Sequence, residues 1–450
     1  MEINVAGAGA GKTSKMADLI SQDVIPEGKF IFCIAFTNAA VEHIEKMILK
    51  KYGHIPKNIK ISTIHSFLYQ ELIQPYYFLL YKKHFQKLST IPLPVNPKFR
   101  NIKTTELEEQ DILHITKIPE KAKWVVYKKS GDNKTIKDIR TKVLTMFAKY
   151  CHKIFIDEAQ DINEEIKIII TALEQAGIEI VLYGDPKQDI RGSGCFQELI
   201  EANDNTKYIC ECFRCPQIHL NISNILASDN QKQYADSSNA VGSVRIVFES
   251  EVDTIAFLEQ QDFGLKYISK KNTRFNTHDG FCDNRLDLLF YEVQRATLKK
   301  WGAKKTELAI NRAAYYASEN MLKNYDKTNN SADEIKNWID KRLFDYPGNT
   351  GYAKMNSAFS GKREGLSCIP VVSSIESIKG LESKNCLFIL TSDLAPYLFL
   401  QKKEDNKTKH LLYVALTRSL KDLTIMITIE VEASYHKENI KDCFSKLCEQ

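Results

Sequence analysis

Short apolar runs, each closed by a polar turn and followed by a stretch of helical spacing, recur along most of the 450 residues. Residues 3–6, 30–36, 59–62, 153–156 and 178–183 carry few polar side chains, as strands covered on both faces do. Residues 41–49 keep an apolar face at helical spacing and read as an amphipathic helix. Strands alternating with helices predict a doubly wound parallel sheet, whose ligands sit at the carboxyl ends of the strands. Runs at 244–248, 369–373, 386–390 and 423–427 predict a second sheet of the same kind. Two stretches break the rhythm: residues 68–150, and a polar, Lys/Asn-rich helical stretch at 275–359. Each reads as an insertion, and no internal repeat is visible.

Composition changes this picture little. Apolar residues make up 43% and charged residues 26%, as in an ordinary cored protein. The length suits two to four domains at about 150 residues each. No run of about 18 apolar residues is present, so no membrane contact is expected. Residues 3–6 read as a core strand and not as a signal segment, which predicts a cytoplasmic protein. Eleven scattered cysteines then read as reduced thiols.

The net charge of +5 is mild, so a nucleic-acid footprint has to be local. Residues 72–105 contain no Asp or Glu, and there Lys82, Lys83, Lys87, Lys98, Arg100 and Lys103 mix with Tyr76, Tyr77, Phe78, Tyr81 and Phe85. Basic groups neutralise phosphates and aromatic faces stack bases, which suits a single strand. A solvated basic face over core aromatics fits the same composition equally well.

The candidate chemistry lies at strand ends. Ala6-Gly7-Ala8-Gly9-Ala10-Gly11-Lys12-Thr13-Ser14 follows the first strand and opens a helix, the order of a phosphate-binding loop. Its glycines let backbone N–H groups curl around a polyphosphate, and the helix N-terminus adds positive potential. Lys12 is placed to reach the outer phosphates of ATP, and Thr13 to offer its hydroxyl to Mg²⁺. Asp157-Glu158 closes a later strand: Asp157 suits the metal, Glu158 the attacking water. Gln188 is placed to sense the terminal phosphate, and Arg214 and Arg418 are candidate charge stabilisers. Cys210-x-Cys212-x-x-Cys215 reads as structural thiols ahead of a metal site.

In this order the segments resemble the UvrD/Rep-like branch of superfamily 1 DNA helicases over nearly the whole chain. Residues 6–13 look like motif I, Ala35-Phe36-Thr37-Asn38-Ala39-Ala40 like motif Ia, and Ser62-Thr63-Ile64-His65-Ser66-Phe67 like the Thr-x-His-Ser-Phe element. Asp157-Glu158-Ala159-Gln160-Asp161 is similar to motif II and Gly184-Asp185-Pro186-Lys187-Gln188 to the start of motif III. Cys212-Phe213-Arg214, Ile378-Lys379-Gly380-Leu381-Glu382 and Tyr413-Val414-Ala415-Leu416-Thr417-Arg418 resemble motifs IV, V and VI.

The resemblance implies an α/β fold of two RecA-like P-loop NTPase domains with flanking helices, each carrying a mostly helical insert. Residues 1–67 with 151–205 would form the first domain, 68–150 its basic–aromatic insert, 206–274 with 360–450 the second, and 275–359 a reduced insert. It further implies ATP between the domains, with Phe213 stacking on adenine, Gly380 beside the nucleotide and Glu382 touching the ribose. Single-stranded or partly duplex DNA would run along Thr37, Asn38, Thr63, His65, Ser66, Phe67 and Ser374, with Lys82, Lys83 and Lys87 adding charge. Movement would be 3′ to 5′.

Departures from the family pattern fall on the DNA side. The upstream glutamine that reads adenine is absent, and Ile190-Arg191-Gly192-Ser193-Gly194 replaces the aromatic-x-aromatic-Arg of motif III, shifting its roles toward Arg191 and Phe196. Ser374 and Glu376 stand where Thr and His are usual. The short length resembles the helicase-like subunits of Gabija anti-phage systems, whose partner is an OLD-family nuclease with a Toprim domain. Three readings follow: a translocating helicase, a regulatory ATPase that licenses such a nuclease, and a stand-alone repair helicase. A P-loop small-molecule kinase fits the later motifs poorly.

Overall fold

The computed structural model describes residues 1–94, 96–260, 262–277, 285–302, 304–360 and 371–448. Residues 369 and 370 of an expected strand lie outside the described residues, as do Gly361, Lys362 and Arg363, which in sequence read as a basic loop and not a second phosphate loop because no strand–helix frame holds them. Contacts divide the chain into one compact unit of Met1–Ser269 with Ser374–Gln450, and another of Lys270–Ser373.

The larger unit is α/β with parallel sheets flanked by helices. Its first sheet holds β1 (Glu2–Ala6), β2 (Phe30–Ala35), β3 (Ile59–Thr63), β4 (Cys151–Ile156), β5 (Glu179–Gly184) and β6 (Thr206–Ile209). They run in the order β3-β2-β4-β5-β1-β6, all parallel. Interior strands have partners on both edges and helices on both faces. That is why β2 tolerates the unbroken run Phe30-Ile31-Phe32-Cys33-Ile34-Ala35. The second sheet contains β7 (Ser243–Phe248), β8 (Leu265–Ile268), β9 (Ser383–Leu390) and β10 (Ser419–Ile427), with the adjacency β7-β10-β9-β8, again parallel.

Residues 68–150 form helices Gln74–Tyr81, Pro97–Glu109, Ile118–Val126 and Lys134–Tyr150 around a short parallel pair, Lys87–Ser89 with Ile112–His114. This insert shares its core with the first sheet: Phe32 meets Phe67 at 5.3 Å and Phe147 at 6.0 Å between ring centroids. Arg140 is buried there and donates to Asp132 at 2.5 Å and to the Trp124 carbonyl, so its charge is spent inside the insert. No described helix is long and apolar enough to cross a membrane.

The smaller unit packs helices Arg285–Trp301, Glu307–Thr328, Ser331–Asp340 and Gly348–Ser360 around Leu289, Val293, Met321, Phe344 and Phe359. Trp301 Nε1 donates to the Leu343 carbonyl at 2.9 Å, and Arg285 pairs with Asp326 at 2.7 Å.

Candidate nucleotide site and nucleic-acid face

The site begins where β1 ends. The loop turns through Gly9 (φ 70°) and Gly11 (φ 69°), left-handed conformations that a side chain resists, and enters helix Lys12–Gln22. Neither an acidic residue in the first turn nor a side-chain cap satisfies the N-terminal N–H groups of this helix, so they remain for an anion. Ala8, Gly9, Ala10, Gly11, Lys12, Thr13 and Ser14 line a cavity of about 1250 Å³. Ala6 and Gly7 do not line it. Ala6 is fully buried, and Gly7 lies against Gln233, so both shape the loop from behind instead of holding nucleotide.

β4 brings Asp157 and Glu158 to the same place. The Thr13 hydroxyl donates to Asp157 Oδ2 at 2.7 Å, and Lys12 Nζ lies 3.7 Å from Glu158 Oε2. Burial, reinforced by the Glu158 charge, pushes the Asp157 carboxyl above the usual range. Burial pushes Glu158 the same way, but Lys12 and then Lys379 outweigh it and hold Glu158 low. The Lys12 charge acts on both carboxylates but does not offset the burial of Asp157, whereas Glu158 also has Lys379 and Arg418. A hydroxyl and a buried carboxylate side by side suit Mg²⁺, which keeps several waters and takes its remaining oxygens from phosphates. No group of three or more His, Cys, Asp or Glu placed for a metal exists among the described residues.

Gln188 follows β5 and donates to Asp185 Oδ2 at 3.0 Å. Asp185 is fully buried, which raises its pKa, yet Lys187 and Lys12 prevail and keep it low. Gln160 joins the two strand ends, donating to Glu158 and accepting from the Asp185 N–H at 3.0 Å.

The segment after β6 and the loops beside β9 and β10 supply the opposite wall. Phe213 N–H donates to the Gly9 carbonyl at 2.8 Å, and the Phe213 ring stays 47% exposed beside Gly11, open for a planar partner. Arg214 Nε pairs with Glu382 at 2.6 Å, and its Cβ sits where a Gly9 side chain would be, 2.4 Å away. Gly380 (φ 88°), Glu382 and Arg418 also line the cavity. Arg418 is only 1% exposed. It donates to the Val414 carbonyl at 3.0 Å, the Leu381 carbonyl at 3.4 Å and the Thr417 hydroxyl at 3.2 Å, and has no carboxylate in ion-pair range among the described residues. Burial and the neighbouring Arg214 charge depress its pKa.

Sequence reasoning missed several members. Lys379 reaches Asp161 at 2.8 Å, the carboxylate that Arg191, already expected in a motif III role, approaches at 3.7 Å. Tyr413 and Gln233 touch Ala8 directly. Lys379 and Tyr413 lie inside quoted motifs, whereas nothing in the sequence marks Gln233.

The nucleic-acid residues separate. Thr37 follows β2 and Thr63 ends β3, and each caps the next helix, accepting from Ala40 N–H at 3.2 Å and Ser66 N–H at 3.3 Å. Asn38 and His65 are exposed, and Ser66 shares a 2.9 Å hydrogen bond with Thr63. Ser374 is half-buried and accepts from Ser377 N–H at 3.2 Å. Phe67 does not belong with them: it is 3% exposed and packs on Phe32 and Phe147, because the helical turn Ile64–Phe67 after β3 points the ring into the core. Phe196 cannot serve as a displaced stacking ring either, being fully buried against Gly184. Arg191 is 62% exposed at the cavity. In the insert, Tyr76, Tyr77 and Phe85 are core residues, leaving Phe78 outside with Lys82 Nζ 5.4 Å from its ring centroid. Lys83 is paired with Asp111 at 2.6 Å, and Lys87 is exposed.

Fold and site together define a P-loop nucleotide-binding protein built on two parallel α/β sheets. Residues 2–193 match the family model described as an AAA domain. No curated protein matches the chain. Among solved structures, the arterivirus nonstructural protein 10 (helicase) in complex with DNA is similar at 10% identity and TM-score 0.37, over 94% of this chain and 60% of that one. The PRRSV helicase is similar at 10% identity and TM-score 0.36, over 95% of this chain and 52% of that one. The chain therefore spans less than two thirds of the length of either.

Proposed function

We propose that this protein is an ATPase stimulated by single-stranded DNA, with the superfamily 1 helicase arrangement of its motifs. The observation that carries the reading is Arg418: a buried guanidinium with no carboxylate in ion-pair range among the described residues, lining the same cavity as Lys12 and Glu158. A buried cation left unpaired is costly, and a polyphosphate on the loop would supply its partner. Lys12 and the N-terminus of its helix would cradle the phosphates, with Thr13 and Asp157 holding Mg²⁺, which supplies charge neutralisation at the phosphate oxygens. Glu158, kept ionised by Lys12 and Lys379, would take the proton of the attacking water. Gln188 would orient that water, Arg214 and Arg418 would meet the developing charge, and Phe213 would stack on the base.

Resemblance to the UvrD/Rep-like branch supports 3′–5′ translocation, and the reduced insert at 275–359 supports a Gabija-like role beside an OLD-family nuclease. One observation favours weak unwinding: Phe67 and Phe196, the rings expected to engage bases, are both core residues. A regulatory ATPase that licenses a nuclease accommodates this better than a processive helicase does.

Hydrolysis measured with and without single-stranded DNA, alongside displacement from a tailed duplex, tests both readings. Hydrolysis that rises with DNA and little displacement is the expected pair. Hydrolysis indifferent to DNA would remove the helicase-type reading, and robust displacement by the isolated chain would remove the regulatory one.

The insert gives a second measurable consequence. Lys83 is occupied by Asp111, so replacing Lys82, Lys83 and Lys87 with Ala should remove two free phosphate partners, not three. The slope of log affinity against log salt should flatten by about 1.4, at about 0.7 per phosphate on a single strand. An unchanged slope would leave these lysines as solvated surface.

A further inference from the structure

The phosphate loop is held from outside as well as by its own strand. Ala8 N–H donates to the Tyr413 hydroxyl at 3.2 Å, that hydroxyl donates to Gln233 Oε1 at 2.8 Å, and Gln233 Nε2 donates to the Ala8 carbonyl at 3.1 Å. The three bonds close a ring. A tyrosine hydroxyl has one proton and a carboxamide has separate donor and acceptor ends, so the ring runs in one direction without conflict. Both peptide groups flanking Ala8 are thereby fixed. All three residues are buried, Gln233 being 4% exposed. Gly7 shows how closely the amide approaches: a Cβ there would fall 2.2 Å from Gln233 Cδ, and the Gly7 backbone is not in the left-handed region. Glycine is required at this position by the neighbour and not by the turn.

Both arms of the ring are braced. The Asn224 carboxamide exchanges two 2.8 Å bonds with the Gln233 backbone, donating to its carbonyl and accepting from its N–H. Against the Tyr413 ring lies Lys187 Nζ, 5.1 Å from the centroid, and Lys187 pairs with Asp185 at 3.0 Å. Asp185 is the carboxylate that holds Gln188. Tyr413 also lies on helix Lys407–Leu416, which leads directly to Arg418. Ala8 lines the cavity, whereas Gln233 and Tyr413 stand behind it.

We propose that Gln233 is a positioning residue for the ATP hydrolysis proposed above, and the inference rests on that reading. Together with Tyr413 it registers the phosphate loop against the segment carrying Arg418, so that the guanidinium and the loop approach the same phosphate at a set spacing. Gln233 touches no substrate, and its effect passes through Ala8 and Tyr413. Misplacement of a catalytic group by about 1 Å can cost about 100-fold in rate. A loosened ring should therefore lower turnover far more than affinity.

The test is steady-state ATP hydrolysis at saturating single-stranded DNA by the wild-type chain, Gln233→Ala and Gln233→Glu. For Gln233→Ala, kcat should fall about 10- to 100-fold while KM changes less than about twofold. Gln233→Glu adds a signature that simple loosening of the fold does not produce. As a neutral acid the new side chain still donates to the Ala8 carbonyl; as a carboxylate it repels it. Its activity relative to wild type should fall as pH rises between about 6 and 9, burial having raised the introduced acid's pKa. The other titratable groups facing the ring, the Cys212 thiol 3.2 Å from the Ala8 carbonyl, Tyr413 itself, and Lys187 with Asp185, are common to both proteins.

A pH-independent ratio near one, or a raised KM with unchanged kcat in Gln233→Ala, would overturn the proposal. If Gln233→Ala does not fold, the pH dependence of the Gln233→Glu ratio decides alone. Absence of hydrolysis by the wild-type chain would overturn the ATPase reading and this inference with it, whereas an active wild type with indifferent variants overturns the inference only.

Discussion

Arg418→Ala should lower ATP turnover by about 10³-fold or more, the range of charge-stabilising arginines in phosphoryl transfer. Nucleotide affinity should fall much less, because the loop, Lys12 and the helix N-terminus belong to the first sheet and stay in place. Stability should change little in spite of three lost hydrogen bonds. The guanidinium is buried with no carboxylate in ion-pair range among the described residues, so removing it also removes an uncompensated charge, and the two effects oppose each other. Arg418→Lys keeps charge but cannot reach the Val414 and Leu381 carbonyls in one planar fork, and turnover should remain low. Single-turnover hydrolysis, equilibrium nucleotide binding and a thermal melt separate these quantities. Turnover within about tenfold of wild type would place Arg418 outside the chemistry.

Lys12→Ala should be as severe and should differ in kind. Its ammonium lines the cavity 3.7 Å from Glu158. Its loss should cost at least about 10²- to 10³-fold in kcat, as removal of a preorganised donor does, and should weaken nucleotide binding as well. It should also release Glu158 from the first of the two lysine charges that hold its carboxyl low. Burial then dominates, the Glu158 pKa rises, and any residual activity should need a higher pH than the wild type does. A residual activity with an unshifted acid limb would count against Glu158 as the proton acceptor.

What the chain discloses before folding depends on how each residue's neighbours are fixed. Interior parallel strands are legible because apolar cover on both faces leaves an uninterrupted run. Runs read at 30–36, 153–156 and 423–427 are the interior strands Phe30–Ala35, Cys151–Ile156 and Ser419–Ile427. Edge strands are less uniform: 59–62 and 244–248 keep enough apolar positions to be read, whereas Thr206–Ile209 carries Thr206 and Lys207 and passes for a loop. The phosphate loop reads well because one short segment contains its glycines, its lysine and its helix start.

A ring's facing is set by tertiary contacts, and there a motif misleads. Phe67 occupies a position associated with nucleic acid, yet its neighbours Phe32 and Phe147 draw it inward. The insert aromatics Tyr76, Tyr77 and Phe85 go the same way, since composition alone cannot distinguish a stacking face from a core. Gln233 is the opposite case. An isolated amide in a polar turn carries no local signal, and its partner Ala8 lies 225 residues away.

The strand order of the first sheet carries a consequence for biosynthesis. β1 is made first, yet it lies between β5 and β6, paired through Ile3 with Leu182 and Thr206. As the polypeptide leaves the ribosome, its earliest strand has no edge to join until some two hundred residues have followed. Long-range parallel pairing of this kind is slow and exposes apolar segments on the way. The nascent Ile3, Val5 and Ala6 are therefore the segment with the longest wait for shelter, and the grip on nucleotide is among the last features of that domain to mature.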